Sequence, residues 1–294
     1  MLPHHDKDEF INVLERTSAQ TGFPHRLLEK DYYLTIILSK INQELSYNLI
    51  FKGGTCLNKI YYSYYRLSED LDFSLRLPQD ITTRSIRRKA IKPIKDTIKT
   101  FAENLNMNVS DPEKAGHNES TQYIFHFSYD SVVLNKEEKV KIEVSLRFNP
   151  ILPVEEKNIH HKFLHPFSGE PIFASGKIVC LSLKELVAEK MRAAATRLTI
   201  APRDFYDLEY LRISGFDFSD NEFLDVFKKK LAEDNFSTDL NNYKQNLGRA
   251  SGEIRDLNSR IREELFPVLP AMGKDPFDIQ AVLKEFNLIF KNLN

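Results

Sequence analysis

Leu49-Ile50-Phe51-Lys52 is a short apolar run that stops at Gly53-Gly54 and gives way to helical spacing over residues 55 to 65. This order predicts a buried strand entering a tight turn and then a helix. Paired glycines at such a turn let a ligand approach the backbone, and the helix N-terminus behind them offers N–H groups to a phosphate. Thr55 is predicted to cap that helix and to add its hydroxyl to the same phosphate. The next segment, Leu71-Asp72-Phe73-Ser74-Leu75, alternates like a strand. Asp70 and Asp72 then project from one face of it, because side chains on a strand alternate with period two. Two neighbouring carboxylates repel each other unless a cation lies between them, and magnesium, a hard ion, prefers oxygen donors. A third carboxylate, Glu143, comes from a later segment in which Val140, Ile142, Val144 and Leu146 alternate with Lys141, Glu143 and Ser145. A glycine pair before a helix is a common turn, and an isolated D-x-D is usually a solvent-facing pair. The ordered set is far rarer, and it supplies the phosphate cradle and metal ligands of in-line phosphoryl chemistry.

The rest of the chain predicts an α+β protein. Residues 8 to 19 and 26 to 43 carry helical spacing, and Leu27, Leu34, Ile37, Leu38 and Ile41 line one stripe of the second. Residues 121 to 129 and 138 to 148 are further strands, separated by a polar loop around Asn135-Lys136-Glu137-Glu138. Everything after about residue 181 reads as helix, so strands and helices mix in the first half without regular βαβ alternation. The 294 residues allow one large domain or two modest ones. The expected division is a core with N-terminal helices over 1–175 and a helical domain over 176–294.

Several classes are excluded. No apolar run approaches the ~18 residues of a membrane span, and Met1-Leu2-Pro3-His4-His5-Asp6 lacks the basic-then-apolar pattern of a signal peptide, so a soluble cytoplasmic protein is expected. Two cysteines, Cys56 and Cys180, cannot build a disulfide framework or a cysteine-rich zinc site. Both are predicted at helix starts, where a thiol is acidified, but no histidine accompanies either, and burial as small residues is the expectation. His160, His161 and His165 lack partners at ligand spacing and read as loop residues. Of Tyr61, Tyr62, Tyr64 and Tyr65, two or three are expected in the core; base stacking is the alternative.

A second constellation lies in the helical half. Ser182, with Glu185 three residues on, forms a capping box that opens a helix. Leu183, Leu186, Val187 and Ala194 mark its buried stripe, while Lys184, Glu185, Glu189 and Arg192 are placed on outer faces. Lys190 and Arg197 project from the stripe, which is costly for a charge unless it is paired or lines a cleft. The next helix starts at Pro202 and brings Asp204 and Asp207. The spacing allows an interhelical Lys190–Asp204 ion pair. It equally allows a lysine aimed at nucleotide phosphates and an acid that orients it, with Asp204 and Asp207 both open for that role.

Arg84 to Lys99 carries seven basic residues and one acid, Asp96. On a helical wheel Arg84, Arg88, Lys92, Lys95 and Lys99 share one face, with Ile86, Ala90, Ile94, Ile98, Phe101 and Leu105 on the other. Charge runs are usually solvated faces. Here the single sign, in a chain of net charge −1, also suits a phosphate backbone.

Lys52-Gly53-Gly54-Thr55 followed by Arg66-x-Ser68-x-Asp70-x-Asp72 resembles the first motif of the AbiEii/AbiGii nucleotidyltransferase-like toxins, which include the MenT toxins. Leu28-Glu29-Lys30-Asp31-Tyr32-Tyr33-Leu34 resembles the segment before the family's first strand, and Ala188-Glu189-Lys190 with Arg203-Asp204-x-x-Asp207-Leu208 resembles its later motifs. The resemblance spans about residues 28 to 211. It implies a DNA polymerase β-type nucleotidyltransferase core, a small mixed sheet flanked by helices, followed by a helical C-terminal region. It further implies Asp70, Asp72, Lys190 and Asp204 as catalytic residues, with Lys190 and Asp204 contributed to the cleft by the helical domain. Lys52, Gly53, Gly54, Thr55, Arg66 and Ser68 would bind the nucleotide, and Asp70, Asp72 and Glu143 would hold magnesium, with manganese as an alternative. The implied activity is magnesium-dependent transfer of nucleotides from an NTP to RNA, the tRNA 3′ end, with the basic helix tracking the acceptor and a cognate antitoxin restraining the toxin. Two alternatives stand beside it: transfer to a small molecule or a protein side chain, and a non-catalytic RNA- or partner-binding protein on the same fold.

Overall fold

Alternation of apolar and polar side chains along the strands gives this chain a sheet with two chemically different faces. The computed structural model describes residues 2–46, 48–78, 83–197, 201–243, 251–271 and 277–292. It divides into two units, Met1–Leu181 and Ser182–Asn294.

In the first unit, α1 (Lys7–Thr21) is capped by Asp6, whose carboxylate accepts the N–H groups of Asp8 and Glu9, and ends at Gly22 in the left-handed region. It is followed by α2 (His25–Glu44), β1 (Leu49–Lys52), the single turn α3 (Gly53–Cys56), a π-helical turn over Leu57–Tyr61, β2 (Asp70–Leu75) and α4 (Arg84–Asn104). Then come β3 (Asn108–Val109), β4 (Gly116–His117), β5 (Gln122–Ser131), β6 (Lys136–Ser145), β7 (Glu155–Asn158) and β8 (Lys177–Cys180). The strands form one mixed sheet in the order β3-β5-β6-β2-β1-β8-β7, with β4 beside β5.

Register fixes what each face carries. Phe51 pairs with Phe73, Phe73 with Val144, and Val144 with Tyr123, so these residues share a face with Leu71, Ile142, Phe125 and Phe127. All are buried. Tyr33 of α2 stacks on Tyr129 at 3.9 Å between ring centres, and Phe101 of α4 meets Phe127 edge-on at 6.0 Å. Both helices therefore cover this apolar face, and the opposite face receives the polar members of the same strands.

Four sequence expectations change here. The helix expected over 55 to 65 begins at Gly53 and ends at Tyr61, leaving Tyr64 and Tyr65 to pack into the core from a turn. Most of the polar loop expected around residues 135 to 138 is strand: β6 starts at Lys136, and the reversal is completed by Asn135 at φ +50°. The strands β7 and β8 carry no periodic signal in four residues each, yet β8 runs parallel to β1 through Phe51 and Cys180, so the first unit extends to Leu181. Cys56 and Cys180 close a turn and a strand and do not open helices; both are buried and free.

The second unit contains α5 (Leu183–Thr196), α6 (Pro202–Ile213), α7 (Asn221–Glu233), α8 (Ser251–Arg260) and α9 (Ile279–Asn292). The hydroxyl of Ser182 accepts the Glu185 N–H, as the capping box predicts. The Glu185 side chain does not face solvent, however. It is fully buried against α7, 2.8 Å from Lys230, which also reaches Glu189 at 3.3 Å and Glu233 at 3.5 Å. A partner 45 positions away in the chain makes an outward face an inward one. Among the described residues, no helix is long and apolar enough to cross a membrane.

Candidate active site

The polar face of the sheet gathers the charged residues of three adjacent strands. Asp70 stands opposite Lys141, and Asp72 stands between Glu143 on one side and Lys52 on the other. The three expected carboxylates therefore share one face of two neighbouring strands. Burial and the Glu143 carboxylate beside it raise the Asp72 pKa to about 6, against the pull of Lys52 and Lys141. That repulsion is what a bound cation would relieve, and the donors are all hard oxygens. Among the described residues, however, no three acids, histidines or cysteines are drawn close enough to enclose an ion.

The glycine turn closes directly onto this cluster. Gly53 has φ +76°, and a methyl group on it would overlap Asp72 Oδ2. A methyl group on Gly54 would lie 2.7 Å from Nη2 of Arg66 and 3.7 Å from Oγ of Ser68. The room left by the missing side chains is thus taken by the protein's own Asp72 and Arg66. Arg66 is buried, donating from Nη1 to the Leu67 carbonyl at 2.9 Å, with its guanidinium 5.8 Å from the centre of the Tyr65 ring. Lys52 and Gly53 are therefore brought to Asp72, and Arg66 and Ser68 to Gly54.

Thr55 departs from its expected role. It lies inside α3, whose N-cap is Lys52, and its buried hydroxyl donates to the Asp70 carbonyl at 2.5 Å. It ties the helical turn to the D-x-D strand. Lys141 was not among the expected site residues, although its Nζ lies 3.5 Å from both Asp70 and Glu143. Burial works against its charge, but Asp70, Glu143 and Asp72 outweigh that and raise its pKa. The period-two spacing of Lys141 and Glu143 was the available signal; only the strand register shows which acids the lysine meets.

The second unit holds the other expected pair. Lys190 of α5 contacts Asp204 at 2.9 Å and Asp207 at 2.8 Å, both on α6, and Arg197 contacts Asp204 at 3.0 Å. The ion pair allowed by the spacing is present, with both acids engaged.

On α4 the apolar side is Ile91, Ile94, Ile98, Phe101 and Ala102. Ile86 is exposed and Ala90 only half-buried, so the covered stripe begins at Ile91. Within the basic stripe Lys92 pairs with Asp96 and Lys95 with Glu113, each at 2.7 Å, while Arg84, Arg88 and Lys99 are exposed.

A mixed sheet bearing carboxylates on adjacent strands beside a glycine turn is the architecture of polymerase β-like nucleotidyltransferases, and solved structures match it. MenT4, a nucleotidyltransferase toxin from Mycobacterium tuberculosis H37Rv, superposes with a TM-score of 0.56 at 15% identity over 96% of each chain. JHP933 from Helicobacter pylori gives 0.51 at 15% identity over 92% of each chain. No protein of curated function matches in sequence. The family model for the nucleotidyl transferase AbiEii toxin of type IV toxin–antitoxin systems matches residues 36–286. The chain belongs to that family, and the match continues well beyond the motifs that end near residue 211.

Proposed function

We propose that this chain transfers nucleotides from a nucleoside triphosphate to an RNA acceptor, the 3′ end of tRNA, and that this transfer is its toxic activity. The observation that carries the reading is the placement of Asp70, Asp72 and Glu143 on one sheet face against the Gly53-Gly54 turn. Asp70, Asp72 and Glu143 would hold magnesium or manganese, which when bound would supply positive charge to the phosphates and lower the pKa of the attacking hydroxyl. Lys52, Gly53 and Gly54 present the turn to the triphosphate, with Ser68 beside it. Arg66 packs against Gly54 and holds the turn in shape. Thr55 acts by fixing the Asp70 backbone through its hydroxyl. In the second unit Lys190 neutralises charge on the phosphates, and Asp204 and Asp207 orient it. The exposed Arg84, Arg88 and Lys99 follow the acceptor's backbone. Family membership supports a cognate antitoxin as partner, and the activity is placed in the cytoplasm, where tRNA is found.

The test is incubation of the full chain with each labelled triphosphate, magnesium and total RNA, following the label by size. Label in the tRNA band, lost in Asp70→Asn and Asp72→Asn while the fold persists, is the expected result. Label in a small molecule or in protein would replace the acceptor. RNA binding with no nucleotide or metal binding would replace the activity by a binding role.

A further inference from the structure

Lys141 occupies an unusual place for a strand lysine. It is paired in register with Asp70, sits two residues before Glu143 on the same face, and its ammonium lies 3.5 Å from each carboxylate. A two-thirds-buried side chain between two acids is held there by charge. His126, its cross-strand neighbour on the other side, is exposed and does not close the cluster. The face thus carries Asp70, Asp72 and Glu143, countered by Lys141 in their midst and by Lys52 at the edge of Asp72.

We propose that Lys141 is a built-in counter-ion: its ammonium holds the space between Asp70 and Glu143 that a divalent cation takes, and binding of the cation displaces it. The proposal rests on the reading of these carboxylates as the cation-binding set. It accounts for the donors being present in register yet not drawn together among the described residues, since an ammonium contacts oxygens at longer range than the ~2.1 Å of magnesium. The lysine therefore lowers repulsion in the cation-free protein and competes with the ion. Two roles follow from one charge: it lowers repulsion among the carboxylates, and it weakens cation affinity.

The experiment measures Mn²⁺ binding to the full chain by calorimetry, for the wild type, Lys141→Met, Lys141→Arg and Asp70→Asn. Lys141→Met should bind about tenfold more tightly, the scale for losing two part-exposed ion pairs, and Lys141→Arg should stay near the wild type. Equal or weaker binding by Lys141→Met overturns the proposal. Loss of binding in Asp70→Asn alongside an unchanged Lys141→Met leaves the carboxylate reading standing and removes only the lysine's role. Binding that Asp70→Asn does not affect removes both. A measurement on the wild type guards against a variant that does not fold: acetylation of Lys141, read by mass spectrometry, should speed up severalfold on adding Mn²⁺, with Lys177 as an internal reference. Unchanged or slower acetylation with the ion bound overturns the proposal.

Discussion

Gly53 is packed against the carboxylate of Asp72: at φ +76° it leaves no space for a side chain, and a methyl group there would overlap Oδ2 and come within 3.1 Å of Cγ. The positive φ alone disfavours any other residue, and the overlap would push the carboxylate from its place between Lys52 and Glu143. Gly53→Ala is expected to cost about 1–3 kcal/mol of stability and to lower nucleotide transfer more than stability explains. Thermal melting together with label incorporation checks both, and a stable, fully active variant would show that the turn tolerates a side chain.

Lys190→Ala should lower turnover by about 100-fold, the scale for removing a donor to developing charge, with a small loss of melting temperature. Lys190 is held by both Asp204 and Asp207, so Asn at either position should have a milder effect than Asn at both. A Lys190→Ala protein that unfolds readily but keeps normal specific activity would assign the lysine to structure alone.

Lys59 and Asp31 form an ion pair at 2.8 Å with neither side chain in contact with solvent. Thr35 at 2.8 Å and the Tyr64 hydroxyl, which donates to Asp31 at 2.5 Å, complete it, tying α2 to the π-helical turn behind the glycines. Burial outweighs Asp31 and lowers the lysine's pKa. Lys59→Met should cost about 3–5 kcal/mol because it leaves a buried carboxylate uncompensated. The double change Lys59→Met with Asp31→Leu should recover part of that. Urea unfolding of both variants measures the difference, and equal stability of single and double variants would contradict the pairing.

His4 lies in a half-buried site, its Nδ1 2.8 Å from the Tyr32 hydroxyl. Burial, reinforced by His5, lowers its pKa from 6.5 to about 4. Between these values the unfolded chain takes up a proton that the folded chain refuses, so stability falls as pH drops below 6.5 and the loss levels off near 4. The loss is smaller than the full pKa shift implies, because the partly exposed ring is screened by solvent. His4→Asn should flatten this part of the urea-midpoint profile; parallel profiles for the two proteins would rule the histidine out.

Changing Arg84, Arg88 and Lys99 together to Glu should weaken tRNA binding and flatten its salt dependence, since each phosphate contact adds ~0.9 to the slope on duplex regions. Lys92 and Lys95 are left out because Asp96 and Glu113 already neutralise them. Nucleotide binding should be unchanged. Anisotropy titrations at several salt concentrations decide it, and an unaltered slope would return α4 to a solvated surface.

The amino-acid sequence alone determined what depends on neighbours a few positions apart. Period-two spacing put Asp70 with Asp72 and Lys141 with Glu143 on shared faces, and alternation of Val140, Ile142 and Val144 marked β6. Ser182 with Glu185 announced the start of α5, and the order of the glycine turn and the acids carried the family resemblance. Tertiary structure decided which of these local faces meet. The β2–β6 register sets Asp72 against Glu143 and Lys141 against Asp70. Packing of α7 on α5 turned Glu185 inward onto Lys230. Folding of the turn onto β2 spent the Thr55 hydroxyl on the Asp70 carbonyl and placed Asp72 against Gly53. Such contacts join residues well separated in the chain through strand pairing and packing, which leave no periodic trace in it; the four-residue β8, recruited to the sheet by β1, left none either.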